Sequence, residues 1–255
     1  MLVGVRTNRP EELARLKEHL PPGWKPSTSE RVEYLYSAYF GGEGGRPGLR
    51  RFHLLYEDIA RLARTTDAEE LFERFEGDVQ LLVAQMARRR VFVHAGVVGW
   101  KGRAVLLPGP SLTGKTTLVA ELVRAGAVYY SDEYAVLDAK GMVHPYPRAL
   151  SVRRAGRRVQ TKVSVEELGG RPCDARPLPV GLVVLSRYRE GARWRPRELT
   201  RGRGSLALLA NTVPARARPE AVLDALGRAV AGARVLSGAR GEAAETARRI
   251  LERLA

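Results

Sequence analysis

Cysteine is almost absent from this chain of 255 residues, which contains only Cys173. A single cysteine excludes an internal disulfide, and without companion cysteines it is a poor metal ligand or redox centre. Histidine is also scarce, and His19, His53 and His144 do not have the spacing of metal ligands. We therefore expect neither a disulfide-stabilised fold nor a zinc site.

Long apolar runs are missing as well. No segment approaches the length of a membrane span, and the first residues, MLVGVRTNRPEELARL, contain no apolar stretch long enough for a signal peptide. The sequence also has no internal repeat and no extended low-complexity segment. These features predict a cytoplasmic globular protein with no membrane partner, long enough for one α/β domain with or without a small appendage.

Lysine is scarce relative to arginine, which supplies 37 of the 43 basic residues and dominates the net charge of +15. The positive excess attracts phosphates and acidic partners. The arginines are spread through nearly every segment rather than gathered in one patch, which argues against nucleic acid as the partner. Arginine in place of lysine, proline in short loops and few labile side chains indicate a thermophilic source.

The segment Gly109–Thr117, GPSLTGKTT, matches the phosphate-binding pattern G-x-x-x-x-G-K-[ST]. The chain has only six lysines, so a chance match is rare. The preceding residues 104–108 form a short apolar run, and residues 116–123 have apolar positions at helical spacing. The order of strand, glycine-rich loop and helix predicts a site for a nucleoside triphosphate, with an ordinary glycine turn before a helix as the alternative.

The residue types in this loop suit a polyphosphate. Glycines at 109 and 114 let backbone N–H groups turn inward together, and the following helix adds the N–H groups of its positive end. Lys115 can reach the outer phosphates, and the Thr116 hydroxyl can complete a magnesium shell of phosphate oxygens and water, with Thr117 as a weaker candidate. We therefore predict ATP and Mg²⁺ as cofactors. The residues assigned to nucleotide binding are Gly109, Pro110, Ser111, Leu112, Thr113, Gly114, Lys115, Thr116 and Thr117.

Two acids, Asp132 and Glu133, follow the predicted strand 127–131, which comes directly after the helix of this loop. Open α/β sheets expose such strand ends to ligand. Asp132 can accept a proton from a hydroxyl or hold the water shell of magnesium, and the alternative is that the two acids only begin a polar turn. The predicted metal ligands are Thr116, Asp132 and Glu133.

Other charged side chains near these motifs are weaker candidates. His94 lies in the apolar predicted strand 91–98, where a lone histidine serves as a core residue as readily as a catalyst. Arg148, Arg153 and Arg154 can bind phosphate or an acidic substrate edge through their guanidinium groups. In so arginine-rich a chain, a solvated surface is the alternative for these three.

The chain divides by pattern into an α+β N-terminal part, 1–90, and an α/β domain, 91–255, in which strands and helices alternate. The N-terminal part either recognises substrate or only completes the fold. Its predicted elements are a helix at 11–20, strands at 31–40 and 52–56 joined by a loop at 41–48, and a long helix capped by Asp67 that ends at 88–90. The predicted strands of the second part are 91–98, 103–107, 127–131, 135–137, 142–144, 149–152, 180–185, 193–195 and 233–236. Its predicted helices are 116–123, 203–211, 219–230 and 240–254.

The order of motifs resembles a known family. Val93-His94, then GPSLTGKTT, then Gly126–Glu133 is similar to the catalytic domain of the bacterial HPr kinase/phosphorylase and its shorter kinase-like relatives. The resemblance covers about 91–153, with looser agreement beyond, and the short step from the loop to the acidic pair is unusual among P-loop proteins. It implies an α/β P-loop kinase domain, similar to the HPr kinase C-terminal domain and the phosphoenolpyruvate carboxykinase core, that phosphorylates a serine hydroxyl with ATP.

The resemblance also implies roles for single residues. By motif position, Asp132 is the base, Lys115 the phosphate clamp, Thr116 the metal ligand and His94 an active-site companion. The chain departs from the family pattern at Glu133, where the family has a second aspartate, and at Thr116-Thr117, where the family has serine and glutamate. It also lacks an E-x-R-G segment, so the resemblance does not extend to the phosphorylase reaction or to HPr as the acceptor.

A serine in a protein or peptide is the leading acceptor. A small-molecule hydroxyl is one alternative, and a non-catalytic ATP-dependent regulatory or nucleic-acid-binding switch is the other. The residues leave the oligomeric state open, a homo-oligomer included.

Overall fold

The computed structural model describes residues 1–42, 51–110, 113–153, 160–171, 173–174 and 176–254, and only the backbone at 151–153, 160 and 161. The chain forms two compact units, Met1–Met86 and Ala87–Ala255. Both units mix helices with strands, as expected for an α/β protein.

The N-terminal unit has a four-stranded sheet with a long helix packed on it. Its elements are β1 (Val3–Thr7), α1 (Leu13–Glu18), β2 (Tyr34–Tyr39), β3 (His53–Glu57), β4 (Ala60–Thr65) and α2 (Ala68–Met86). The strands lie in the order β1-β2-β3-β4, and only β1 and β2 are parallel. The side chain of Asp67 accepts a hydrogen bond from the Glu69 N–H at 2.9 Å, which confirms it as the cap of α2.

The C-terminal unit contains ten strands and four helices within the described residues. They are β5 (Val91–Trp100), β6 (Arg103–Pro108), α3 (Lys115–Arg124), β7 (Val128–Ser131), β8 (Tyr134–Leu137), β9 (Val143–His144), β10 (Leu150–Arg153), β11 (Gln160–Val163), β12 (Val180–Tyr188), β13 (Arg197–Leu199), α4 (Arg201–Leu209), α5 (Pro219–Ala231), β14 (Arg234–Arg240) and α6 (Ala243–Glu252).

Strand direction in the main sheet decides which loops meet. The order is β13-β14-β12-β6-β5-β8-β9, with β7 also paired to β5. Strands β6, β12 and β14 are parallel, and β7 runs the same way as β6 because both are antiparallel to β5. The carboxyl ends of β6, β7, β12 and β14 therefore lie at one edge, here called the ligand edge.

Helices cover both faces of this sheet. Along β6, Val105 and Leu107 pack in the cluster that includes α3 and α6, whereas Ala104 and Leu106 pack in the cluster with α4 and α5. This alternation follows the two-residue period of a strand buried on both faces. A Cβ atom at Gly96 of β5 would collide with Val119 of α3, so the helix lies directly on the strand backbone. The position of α3 is thereby fixed against the centre of the sheet.

Most of the predicted elements are confirmed, and the exceptions have local causes. The predicted strand 193–195 is wrong: β13 begins only after Pro196, which lacks the N–H that a ladder needs. The predicted helix 240–254 begins at Ala243 instead, because Arg240 still belongs to β14. Strands β1, β4 and β11 were not predicted, and the predicted loop at 41–48 lies for the most part outside the described residues.

The turn between β8 and β9 depends on the charge of Asp138. Its Oδ1 accepts from the N–H groups of Lys140 and Met142 at 2.8 and 3.0 Å, and its Oδ2 lies 2.9 Å from His144 Nε2. Burial alone would raise the pKa of Asp138, but the hydrogen bonds from His144 and the two N–H groups outweigh it and lower the pKa below its usual value.

We expect Asp138→Asn to destabilise the protein by about 1 kcal/mol at pH 7, because a carboxylate accepts the hydrogen bonds of this turn more strongly than an amide does. A carboxylate with a lowered native pKa contributes stability above its unfolded pKa, and this contribution disappears as pH falls through the native pKa. The difference between wild type and variant should therefore shrink below about pH 4. Urea unfolding at pH 7 and pH 3 measures it, and a difference independent of pH would contradict this account.

Candidate functional site

The glycine-rich loop joins β6 to α3, as predicted. Gly114 is the N-cap residue of α3 with a φ of +80°, a left-handed conformation that favours glycine, and it has no side chain to cap the helix. The N–H groups of the first helical turn are thereby left for an incoming acceptor. Of the predicted loop residues, Ser111 and Leu112 lie outside the described residues.

Lys115 lies across this loop. Its ammonium group donates to the carbonyl oxygens of Gly109 and Pro110 at 2.6 and 2.7 Å. Burial lowers the pKa of Lys115, and the carboxylates of Glu133 and Asp132 oppose this shift. The lysine is thus a half-buried cation at the loop, within the electrostatic influence of both predicted acids.

A second cation at the loop, Arg240, was not predicted. It is only 3 % exposed, and its guanidinium donates to the carbonyl oxygens of Gly114 at 3.0 Å and Gly241 at 3.2 Å. Its Nε has no hydrogen-bond partner, and no described carboxylate pairs with it. Burial disfavours the charge of Arg240 and lowers its pKa, whereas Tyr188 and Glu242 oppose part of this shift.

The position of Arg240 makes this cost larger. It contacts Gly114 at the positive end of α3, where a cation is disfavoured by the helix dipole. Lys115 occupies the same end of the helix. Lys115, Arg240 and the positive end of α3 therefore converge on one loop. The hydrogen bonds that the Lys115 and Arg240 side chains donate there go to carbonyl oxygens.

The two acids leave the sheet at a break between β7 and β8. Both strands pair with β5, and the break falls at Asp132 and Glu133. The Ser131 hydroxyl accepts hydrogen bonds from the N–H groups of Glu133 and Tyr134 at 3.2 and 3.0 Å, which turns the backbone there. This positioning role of Ser131 was not predicted, although serine hydroxyls commonly accept backbone hydrogen bonds in turns.

Asp132 is the buried member of the acidic pair, at 8 % exposure. Its Oδ1 lies 3.3 Å from the hydroxyl of Tyr129, which also donates to the Arg148 carbonyl at 2.8 Å. Arg148 is half-buried, and burial lowers its pKa to about 10. Of the other predicted arginines, Arg153 is described only by its backbone and Arg154 lies outside the described residues.

His94 is held beside the second acid. Its Nδ1 lies 3.3 Å from Glu133 Oε1, and its ring meets the ring of Tyr134 edge-on at 5.9 Å. The His94 carbonyl accepts from the Gly109 N–H at 3.3 Å, so the histidine also contacts the start of the loop. The structure therefore brings His94, Glu133 and the glycine-rich loop together.

The predicted metal ligands are all hard oxygen donors. Thr116 is half-buried in the first turn of α3, and Asp132 and Glu133 follow β7 at the same ligand edge. Magnesium takes oxygen ligands and keeps several waters and phosphate oxygens, so these residues fit a magnesium ion that accompanies a nucleotide. Among the described residues, no group of three or more His, Cys, Asp or Glu side chains lies close enough to hold a metal ion.

Taken across the sheet, the ligand edge carries the loop after β6, the acids after β7, and Tyr188 and Arg240 at the ends of β12 and β14. No helix in the described part of the chain is long and apolar enough to cross a membrane. No protein-family model matches the chain, and no curated protein matches it.

Proposed function

We propose that the protein is an ATP-dependent kinase that transfers the γ-phosphoryl group to a serine hydroxyl of a protein or peptide. The single observation that supports this most is the convergence of Lys115, Arg240 and the N-terminus of α3 on a glycine-rich loop. Such a cluster lowers its own free energy by binding a polyphosphate anion.

The acids beside the loop favour transfer over simple binding. Asp132 is buried at the ligand edge, where a carboxylate can accept a proton from a hydroxyl. The motif order resembles that of the HPr kinase/phosphorylase family, in which an acid at this position is the base. We therefore also propose that the C-terminal unit has a P-loop kinase core of that kind.

The reaction follows from these positions. The serine oxygen attacks the γ-phosphorus, its proton passes to the Asp132 carboxylate, and the bond from phosphorus to the oxygen that bridges the β- and γ-phosphates breaks, so that ADP keeps this oxygen. Lys115 and Arg240 stabilise the negative charge on the phosphates. Thr116 and Glu133 would hold magnesium, which would neutralise part of that charge, and Asp132 is left to act as the base. His94 holds Glu133 in place.

The test is ADP formation by the wild type and by Lys115→Ala, with magnesium and a panel of serine peptides and small hydroxyl compounds. We expect turnover that depends on the acceptor serine and falls at least about a hundredfold in Lys115→Ala, because the mobile cation at the outer phosphates is lost. Lys140→Ala removes an exposed lysine from the β8–β9 turn and serves as the matched control.

The acceptor panel separates the alternatives. Turnover with small hydroxyl compounds alone would replace the peptide acceptor by a metabolite. Tight ATP binding without turnover on any acceptor would favour a nucleotide-dependent switch and contradict the proposed kinase.

A further inference from the structure

A cleft of about 550 Å³ opens beside the phosphate loop. Thr113 and Thr117 of the loop and α3 line it on one side. The residues that line it on the other side are Arg187, Tyr188, Arg240 and Glu242. The volume is typical of a site for a small organic molecule.

The strand order indicates which end of a bound triphosphate chain would face this cleft. β6, which carries the phosphate loop, has β5 on one side and β12 on the other. The acids Asp132 and Glu133 come from the strands paired with β5, whereas Tyr188 and Arg240 come from β12 and β14. A triphosphate chain bound at the loop must place its γ-phosphate towards the acids for transfer to occur. Its other end then points to the cleft.

The residues of the cleft suit the nucleoside that lies at that end of the triphosphate chain. Tyr188 is 49 % exposed, and its ring offers a flat apolar face. In the sheet register Tyr188 stands opposite Arg240, whose guanidinium lies 5.5 Å from the ring centre. Glu242 Oε1 lies 3.5 Å from the Tyr188 hydroxyl and offers an exposed hydrogen-bond acceptor. An aromatic platform with a carboxylate at its rim suits a nucleobase and its ribose.

We propose that this cleft binds the nucleoside of the phosphoryl donor, with the base stacked on Tyr188 and the ribose hydroxyls near Glu242. The inference rests on the proposed kinase function and deepens it, because it assigns Tyr188 and Glu242 to the nucleoside of ATP, for which the motifs in the sequence gave no residue. In this arrangement Tyr188 contacts the base of the nucleotide, whereas Lys115 contacts its phosphates.

The test compares two probes, ATP and inorganic tripolyphosphate, both with magnesium, by calorimetric titration. We expect the wild type to bind ATP more tightly than tripolyphosphate. Tyr188→Ala should weaken ATP binding about tenfold, as expected for the loss of one base–aromatic stack, and leave tripolyphosphate binding within about twofold. Tyr188→Phe keeps the ring and should keep the affinity for ATP.

Two variants serve as controls. Tyr39→Ala removes a tyrosine of equal exposure, 50 %, from the N-terminal unit and should change neither affinity. Lys115→Ala should weaken both probes.

Each other outcome has a distinct meaning. Equal wild-type affinity for the two probes, or an unchanged affinity of Tyr188→Ala for ATP, would overturn the nucleoside site and leave the kinase proposal standing. An equal loss of both probes in Tyr188→Ala would assign the ring to the phosphates or the fold and overturn the inference as well. Failure of the wild type to bind either probe would overturn the proposed function together with the inference.

Discussion

Asp132→Asn is expected to lower phosphoryl transfer about a thousandfold and to leave ATP binding intact. A loss of this size is typical of the removal of a general base, because the amide cannot take the proton from the acceptor hydroxyl. Asparagine has nearly the shape of aspartate and can keep the contact with the Tyr129 hydroxyl, 3.3 Å from Oδ1. The phosphate loop is unchanged in this variant. The substitution also removes a negative charge that repels the phosphates, so the affinity for ATP should not fall.

Turnover by ADP formation and the dissociation constant of ATP by calorimetry measure the two effects separately. Asp138→Asn is the matched control, since it makes the same chemical change at a turn whose partner is His144. It lowers stability but should leave turnover unchanged. Retained turnover in Asp132→Asn, with loss in Glu133→Gln, would instead assign the base to Glu133, which lies beside His94.

The parts of the site that local sequence determines were predictable. A glycine-rich loop between a buried strand and an amphipathic helix has its own signature, and the structure has the loop between β6 and α3. The acidic pair was placed at the end of β7 because apolar residues precede it and glycine punctuates the turn before it. Neither inference needed knowledge of which strands are neighbours.

The parts that depend on distant pairing were not predictable. The strand predicted at 233–236 was too short because Ser237-Gly238 is typical of a turn, yet β14 continues to Arg240. Gly238 pairs with Ser186 of β12, and a Cβ atom there would contact Pro196 and Trp194, so the lack of a side chain serves close packing. Strand β12 likewise extends beyond the predicted end at 185 as far as Tyr188. The residues that the prediction left out of these two strands include both Arg240 and Tyr188.

The amino-acid composition also made Arg240 difficult to predict as a site residue. In a chain with 37 arginines no single arginine stands out, and the signal that identifies this one is burial without a described carboxylate partner. That property belongs to the fold and cannot be read from neighbours in the sequence.

Arg240→Met is expected to separate stability from anion binding. Methionine fills much of the volume of the arginine stem and has no charge to desolvate, so the variant should unfold, without anions, at the same or a higher temperature than the wild type. It should bind tripolyphosphate at least about tenfold more weakly, since charge-assisted hydrogen bonds to a phosphate are lost. Thermal unfolding with and without tripolyphosphate, together with calorimetry, measures both quantities.

The control lies on the same strand. Arg234 of β14 pairs with Glu198 at 2.9 Å on the surface, so Arg234→Met should cost a little stability and change no affinity. If Arg240→Met were less stable and bound tripolyphosphate normally, Arg240 would serve only to tie Gly114 to β14. Equal or higher stability with weaker binding has another meaning: the buried charge costs the empty protein free energy, and only the bound anion offsets that cost.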